Sequence, residues 1–214
     1  MSDICAKIHH FFTDLPKFGY PFDVCNIPRN GVYILFEKGE YAHQVDRIVR
    51  VGTHTGNGML PSRLQQHFVR ENKDRSIFRK NIGRALLNKD HDKYIFQWEI
   101  DLTGVDARKK YSDKIDMARL KEMEERVSLF IRRNFHFVVF REDDKAIRLV
   151  WEAKIISTIS QCSECCPSEN WLGSHSPKKK IRESGLWLVN ELCGQPIMES
   201  DYEKLKSYTT SKEQ

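Results

Sequence analysis

Apolar positions along this chain follow two rhythms. Val32-Tyr33-Ile34-Leu35-Phe36 comes directly after the turn signal Asn30-Gly31 and is dense in strand formers. Lys38-Gly39-Glu40 breaks that run. Arg47-Ile48-Val49-Arg50-Val51-Gly52 reads as its partner strand, reached by a long hairpin connection. Tyr94 to Ile100 alternates as a strand does, and His136 to Phe140 is another strand candidate. Elsewhere the spacing becomes helical. A short amphipathic piece, Ile8 to Phe12, precedes a turn-rich stretch with Pro16, Pro21 and Pro28. A helix starts near Leu60-Pro61, where proline suits the first turn, with Leu64 and Phe68 on one face. Ser76 to Leu87 reads as a second helix. Asp113 to Asn134 is the strongest, striped by Ile115, Leu120, Met123, Val127 and Phe130. Arg148 to Ser160 follows, with Leu149, Ala153, Ile156 and Ile159 inward. Beyond it lie an irregular segment, Gln161 to Lys180, a short helix around Gly185 to Leu192, and a polar, frayed tail after Glu199. The mixture predicts an α+β fold with a small, largely antiparallel sheet flanked by helices.

The chain of 214 residues has no Pro/Gly/Ser-rich linker, so one domain over 1–214 is expected. Its net charge of +5 permits a polyanion partner without requiring one. No run approaches the roughly 18–20 apolar residues of a membrane span, and Met1 to Cys5 lacks the basic start and apolar run of a signal peptide. A cytoplasmic protein with no membrane association is expected. Six cysteines in such a chain do not make a disulfide framework. Cys162, Cys165 and Cys166 form C-x-x-C-C, half of a zinc motif, with His175 as a candidate further ligand. No second C-x-x-C or H-x3–5-H accompanies it, so plain thiols and no zinc are expected.

Several polar residues stand out against this frame. Tyr33 points to the sheet face opposite Val32 and Ile34. Gly52, ending the second strand, allows close approach of a backbone or ligand. Arg63 and His67 are four residues apart and share a helix face. A guanidinium offers forked, permanently charged donors for a phosphate, and an imidazole titrates near working pH. Glu152 opens Glu152-Ala153-Lys154-Ile155 and supplies a hard oxygen donor.

In order and local context, Gly31-Val32-Tyr33, Arg50-Val51-Gly52, Arg63, His67 and Glu152 resemble the GIY-YIG nuclease family. Arg50 stands where the family usually carries tyrosine. The resemblance implies a GIY-YIG-like core over about 28–160, an insertion over about 101–135, and an extension over 161–200 that packs on the core. It implies a phosphodiester hydrolase in which Tyr33 and His67 handle the attacking water. Arg63 neutralises the scissile phosphate, and Glu152 holds one Mg²⁺ or Mn²⁺ ion. The histidine one turn after the arginine is shared with restriction enzymes of the family. Those enzymes also carry an asparagine after the glutamate, a place Asn170 fits loosely as a second metal ligand. Arg50 and His54 are candidate substrate contacts. So are two basic segments that resemble insertions of restriction-like members, with Arg79, Lys80 and Arg84 in one and Lys178, Lys179 and Arg182 in the other. The expected activity is metal-dependent cleavage of double-stranded DNA, restriction-like, with a homodimer if the cut is palindromic. The alternatives are a catalytically inactive DNA-binding module and a structure-specific repair or recombination nuclease.

Overall fold

The computed structural model describes residues 2–210. In chain order its elements are α1 (Ser2–Thr13), β1 (Phe18–Gly19), β2 (Gly31–Ala42), β3 (Val45–Gly52), α2 (Leu60–Phe68), α3 (Ile77–Lys89), α4 (Ile95–Trp98), α5 (Val105–Tyr111), α6 (Met117–Asn134), β4 (Phe135–Arg141), α7 (Lys145–Ser160), α8 (Lys179–Ser184) and α9 (Glu199–Thr210). The strands form one antiparallel sheet in the order β1-β4-β2-β3. The fold is therefore α+β, as the two rhythms predict.

The sheet is covered on both faces. Val32, Ile34 and Phe36 join Val138, Phe140 and Ile48 in a core with α1 and α7. Tyr33 and Leu35 point the other way, into a core with Phe137 and residues of α2, α3 and α6. Burial on both sides explains why β2 reads as a near-continuous apolar run. Side-chain oxygens begin three of the helices. Ser76, Asp116 and Asp144 accept from the backbone N–H three residues on, at α3, α6 and α7.

Five sequence expectations need correction. First, the hairpin is tight, not long. β2 runs through Lys38-Gly39-Glu40 to Ala42, and only His43-Gln44 separates it from β3, both with positive φ (51° and 67°). A register shift between Phe36 and Tyr41 absorbs the polar interruption. Second, Tyr94 to Ile100 is not a strand. It contains the short helix α4, in which Phe96 is exposed while Trp98 is buried and donates from its indole to the Lys80 carbonyl at 3.0 Å. Third, Gly185 stops a helix instead of starting one: at φ 68° it is the left-handed cap of α8. Fourth, the segment after Glu199 forms α9 and buries Leu205, although 211–214 lie outside the described residues. Fifth, the inward face of α7 differs at its start: Ile156 and Ile159 are buried as expected, but Trp151 and Ile155 join them while Leu149 is exposed. Among the described residues no helix is long and apolar enough to cross a membrane.

Candidate active site

The site is built at one end of the β2–β3 pair. Tyr33 and Gly52 are register partners there. A Cβ on Gly52 would lie 2.2 Å from the Tyr33 hydroxyl oxygen, so glycine makes the space that hydroxyl occupies. From that position the hydroxyl reaches His67 Nε2 at 2.8 Å. The opposite ring nitrogen, Nδ1, lies 2.7 Å from Ser76 Oγ. Ser76 Oγ already accepts the Arg79 backbone N–H that caps α3. The imidazole therefore bridges two hydroxyls, one ring nitrogen carrying the proton and the other accepting one. His67 is fully buried. Burial, followed by the charges of Arg63, Arg50 and Arg79, holds its pKa well below the ordinary histidine value. It works as a neutral link that fixes Tyr33 against Ser76.

The carboxylate arrives from α7. Glu152 Oε1 accepts the Thr53 backbone N–H at 3.1 Å, directly after Gly52, and Thr53 Oγ1 donates to the Gly31 carbonyl at 2.8 Å. Burial pushes the Glu152 carboxyl above its ordinary value, against the opposing pull of Arg50, the Thr53 N–H and Arg63. Thr53, His54, Met59, Arg63 and Gln66 line a cleft of about 470 Å³. Half-buried Arg63 donates to Gln66 Oε1 and to the Arg75 carbonyl, both at 3.1 Å, and among the described residues it forms no ion pair. The guanidinium and the carboxylate thus share one locality, bridged by Thr53. A half-buried carboxylate with one oxygen held by a backbone N–H fits a hard divalent cation whose remaining shell is water and phosphate oxygen.

Arg50 lies beside this group. The β2–β3 register passes from Leu35↔Arg50 to Phe36↔Ile48 and skips Val49. This bulge points Arg50 over the Phe78 ring, 5.4 Å from its centroid, and lets it donate to the Trp187 carbonyl. Its Nε is buried and, among the described residues, has no hydrogen-bond partner.

Other predicted contacts are placed differently. His54 is a loop pin: Nε2 accepts the Gly31 N–H at 3.3 Å, Nδ1 donates to the Gly56 carbonyl at 2.6 Å, and burial lowers its pKa. Arg79 is buried and paired with Glu124 at 2.7 Å. Lys80 is buried against Asp74 and the Glu99 carbonyl, and Arg84 against Glu99 and Asn81. These three are internal braces, not a basic surface, because α3 is the central helix of its core and exposes few of its residues. Lys178 and Lys179 are exposed at the start of α8 and Arg182 in its last turn, although Arg182 donates to the Ser176 carbonyl and Lys179 meets Glu183 at 3.5 Å. Asn170 is exposed on a turn whose neighbours Ser168 and Trp171 bond Glu40 and Glu37, and among the described residues no hydrogen bond joins it to Glu152.

Sequence reasoning overlooked Ser76 and Thr53 as parts of the site. A serine before a helix signals a cap, but nothing local says that its oxygen also holds a histidine from the preceding helix. Thr53 acts through its backbone, which no side-chain motif reveals. The family description of the GIY-YIG domain matches residues 7–211 of this chain. No curated protein and no solved structure matches it. With the match spanning nearly the whole chain and the tyrosine, arginine and glutamate gathered at one end of the sheet, the protein belongs to the GIY-YIG nuclease family.

Proposed function

We propose that the protein is a divalent-metal-dependent DNA endonuclease, most like a type II restriction enzyme. The Thr53 junction carries this reading: one residue donates its N–H to Glu152 and lines the cleft with Arg63, next to the glycine that seats Tyr33. Bound at Glu152, Mg²⁺ or Mn²⁺ would polarise the phosphate and ease departure of the 3′ oxygen. The chain's own residues do the rest. Tyr33, its hydroxyl held by His67, orients the attacking water. His67 stays neutral throughout. Arg63 lays a forked cation along the phosphate and meets the charge that builds there. Arg50 adds positive charge from beneath, in place of the tyrosine usual at its position. Lys178, Lys179 and Arg182 grip the flanking duplex through its phosphates.

The test is incubation of the purified chain with supercoiled plasmid and long linear DNA in Mg²⁺, Mn²⁺ or chelator. The proposal expects nicking or linearisation with either ion, none with chelator, and discrete fragments from long DNA. Flap or junction substrates cut in preference to plain duplex would assign a structure-specific nuclease instead. Arg50 and its tie to the Trp187 carbonyl favour one rival, a DNA-binding module without catalysis. That rival binds DNA in a salt-sensitive way and nicks under no ion.

A further inference from the structure

A second group of chemically active side chains lies at the other end of the β2–β3 hairpin. Its residues come from three distant parts of the chain. Cys5 and His9 are one turn apart on α1 and both are buried. His43 occupies the hairpin tip, held at φ 51°, where a non-glycine residue is uncommon. Cys165 sits in the turn after α7, its N–H donating to the Cys162 carbonyl at 3.3 Å. The ligating atoms of these four residues all lie within 4.8 Å of one another.

We infer that Cys5, His9, His43 and Cys165 form a structural zinc site that staples α1, the hairpin tip and the end of α7. Zinc–sulfur and zinc–nitrogen bonds of ordinary length set tetrahedral edges of about 3.3–3.8 Å between ligand atoms. The sulfurs of Cys5 and Cys165 are 3.4 Å apart, and Cys165 Sγ lies 3.4 Å from His43 Nε2 and 4.0 Å from His9 Nε2. The outer nitrogens are already engaged, which turns both Nε2 atoms inward. His9 Nδ1 donates to the Cys5 carbonyl at 2.9 Å, and His43 Nδ1 faces Glu164 Oε2 at 3.4 Å. Backbone carbonyls and carboxylates in these places are the usual outer partners of metal-bound histidines. Cys162 Sγ, 3.5 Å from His43 Nε2, stands at the edge of the group. Thiols and imidazoles crowded in this way gain little from one another as hydrogen bonds, since sulfur is a weak partner.

The site is separate from the nuclease cleft. Tyr33 and His43 are ten residues apart along β2, about 30 Å at strand rise. His175, the histidine that the C-x-x-C-C motif first suggests, lies elsewhere, its carbonyl bonded to Asn88. Linear motifs, which hold their ligands in one stretch, miss this group, because the fold collects it from three parts of the chain.

The experiment is elemental analysis of the full chain expressed in zinc-supplemented medium and purified under reducing conditions. About one zinc per chain is expected, falling at least tenfold in Cys165→Ser and in His43→Ala and retained in Cys166→Ser and Glu152→Gln. Cobalt(II) exchanged into the wild-type chain gives a second readout that survives poor folding of a variant. The inference expects strong visible bands of a tetrahedral thiolate complex. Zinc-free wild-type protein, a Cys5–Cys165 disulfide, zinc that leaves with Glu152→Gln instead, or the weak spectrum of octahedral cobalt would overturn it.

Discussion

Gly52→Ala is the sharpest perturbation of the cleft, because it changes no polar group. The added Cβ would lie 2.2 Å from the Tyr33 hydroxyl oxygen and 2.4 Å from Cζ of the ring. Ordinary contact needs the ring to retreat by roughly 1 Å, more than a hydrogen bond tolerates before it weakens steeply. The 2.8 Å link to His67 then breaks. Overpacking of this kind costs about 1–3 kcal/mol of stability, at about 2–4 °C of Tm per kcal/mol in a chain this long. The catalytic loss is larger: displacing a reacting group by about 1 Å costs about 10²-fold, and removing a proton-transfer group costs about 10²–10⁴-fold. Single-turnover plasmid nicking with saturating enzyme reads the chemical step. Gly52→Ala should fall about 10²-fold and Tyr33→Phe at least as far. Because glycine acts only through the tyrosine, the double variant should be no slower than Tyr33→Phe alone. A Gly52→Ala enzyme within about twofold of wild type, or losses that multiply in the double variant, would refute the reasoning.

Further expectations concern the other members of the site and the core. Burial raises the Glu152 pKa, so its ionised form opposes folding: that cost is absent at acid pH and grows as pH rises through the raised value. Glu152→Gln should therefore raise Tm at pH about 7.5, with the gain vanishing near pH 4 in a thermal-melt series, while cleavage is lost. Arg63→Ala should lower the single-turnover rate about 10²–10³-fold with little change in Tm, and Arg63→Lys should restore little of it, since an ammonium lacks the fork. Arg79→Ala leaves Glu124 buried without its partner and should cost about 3–5 kcal/mol in denaturant unfolding, which marks it as a brace. A stable, folded Arg79→Ala with weakened DNA binding would return it to the DNA surface. Lys178→Ala and Lys179→Ala should each reduce the slope of log binding constant against log salt by about 0.9, and unchanged slopes would remove α8 from the interface.

How far the sequence carried depended on whether the physics was local. Tyr33 faces away from Val32 and Ile34, as strand alternation requires, and Arg63 and His67 follow from helical spacing. The α+β class follows from the two rhythms. Phe96 shows where periodicity misleads: it completes an alternating pattern with Tyr94 and Trp98, yet is exposed while they are buried four residues apart on a helical segment. Arg79, Lys80 and Arg84 show the limit of charge reading. A basic cluster looks the same in sequence whether it meets phosphates or internal carboxylates, and Glu124 and Glu99 come from elements distant in the chain. The tight hairpin is hidden in the sequence because Gly39 and a register shift let β2 continue through polar residues. That same continuation carries His43 to Cys165, a meeting that no linear motif announces.

The central claim is that Glu152 and Arg63 serve one phosphodiester. Single-turnover cleavage of supercoiled plasmid by Glu152→Gln, Arg63→Ala and the double variant, in Mg²⁺ and in Mn²⁺, tests it most directly. The account predicts that Glu152→Gln is inactive with both ions, that Arg63→Ala is slowed by orders of magnitude, and that the double variant is no worse than Glu152→Gln. Cleavage at wild-type rate by either single variant would contradict it.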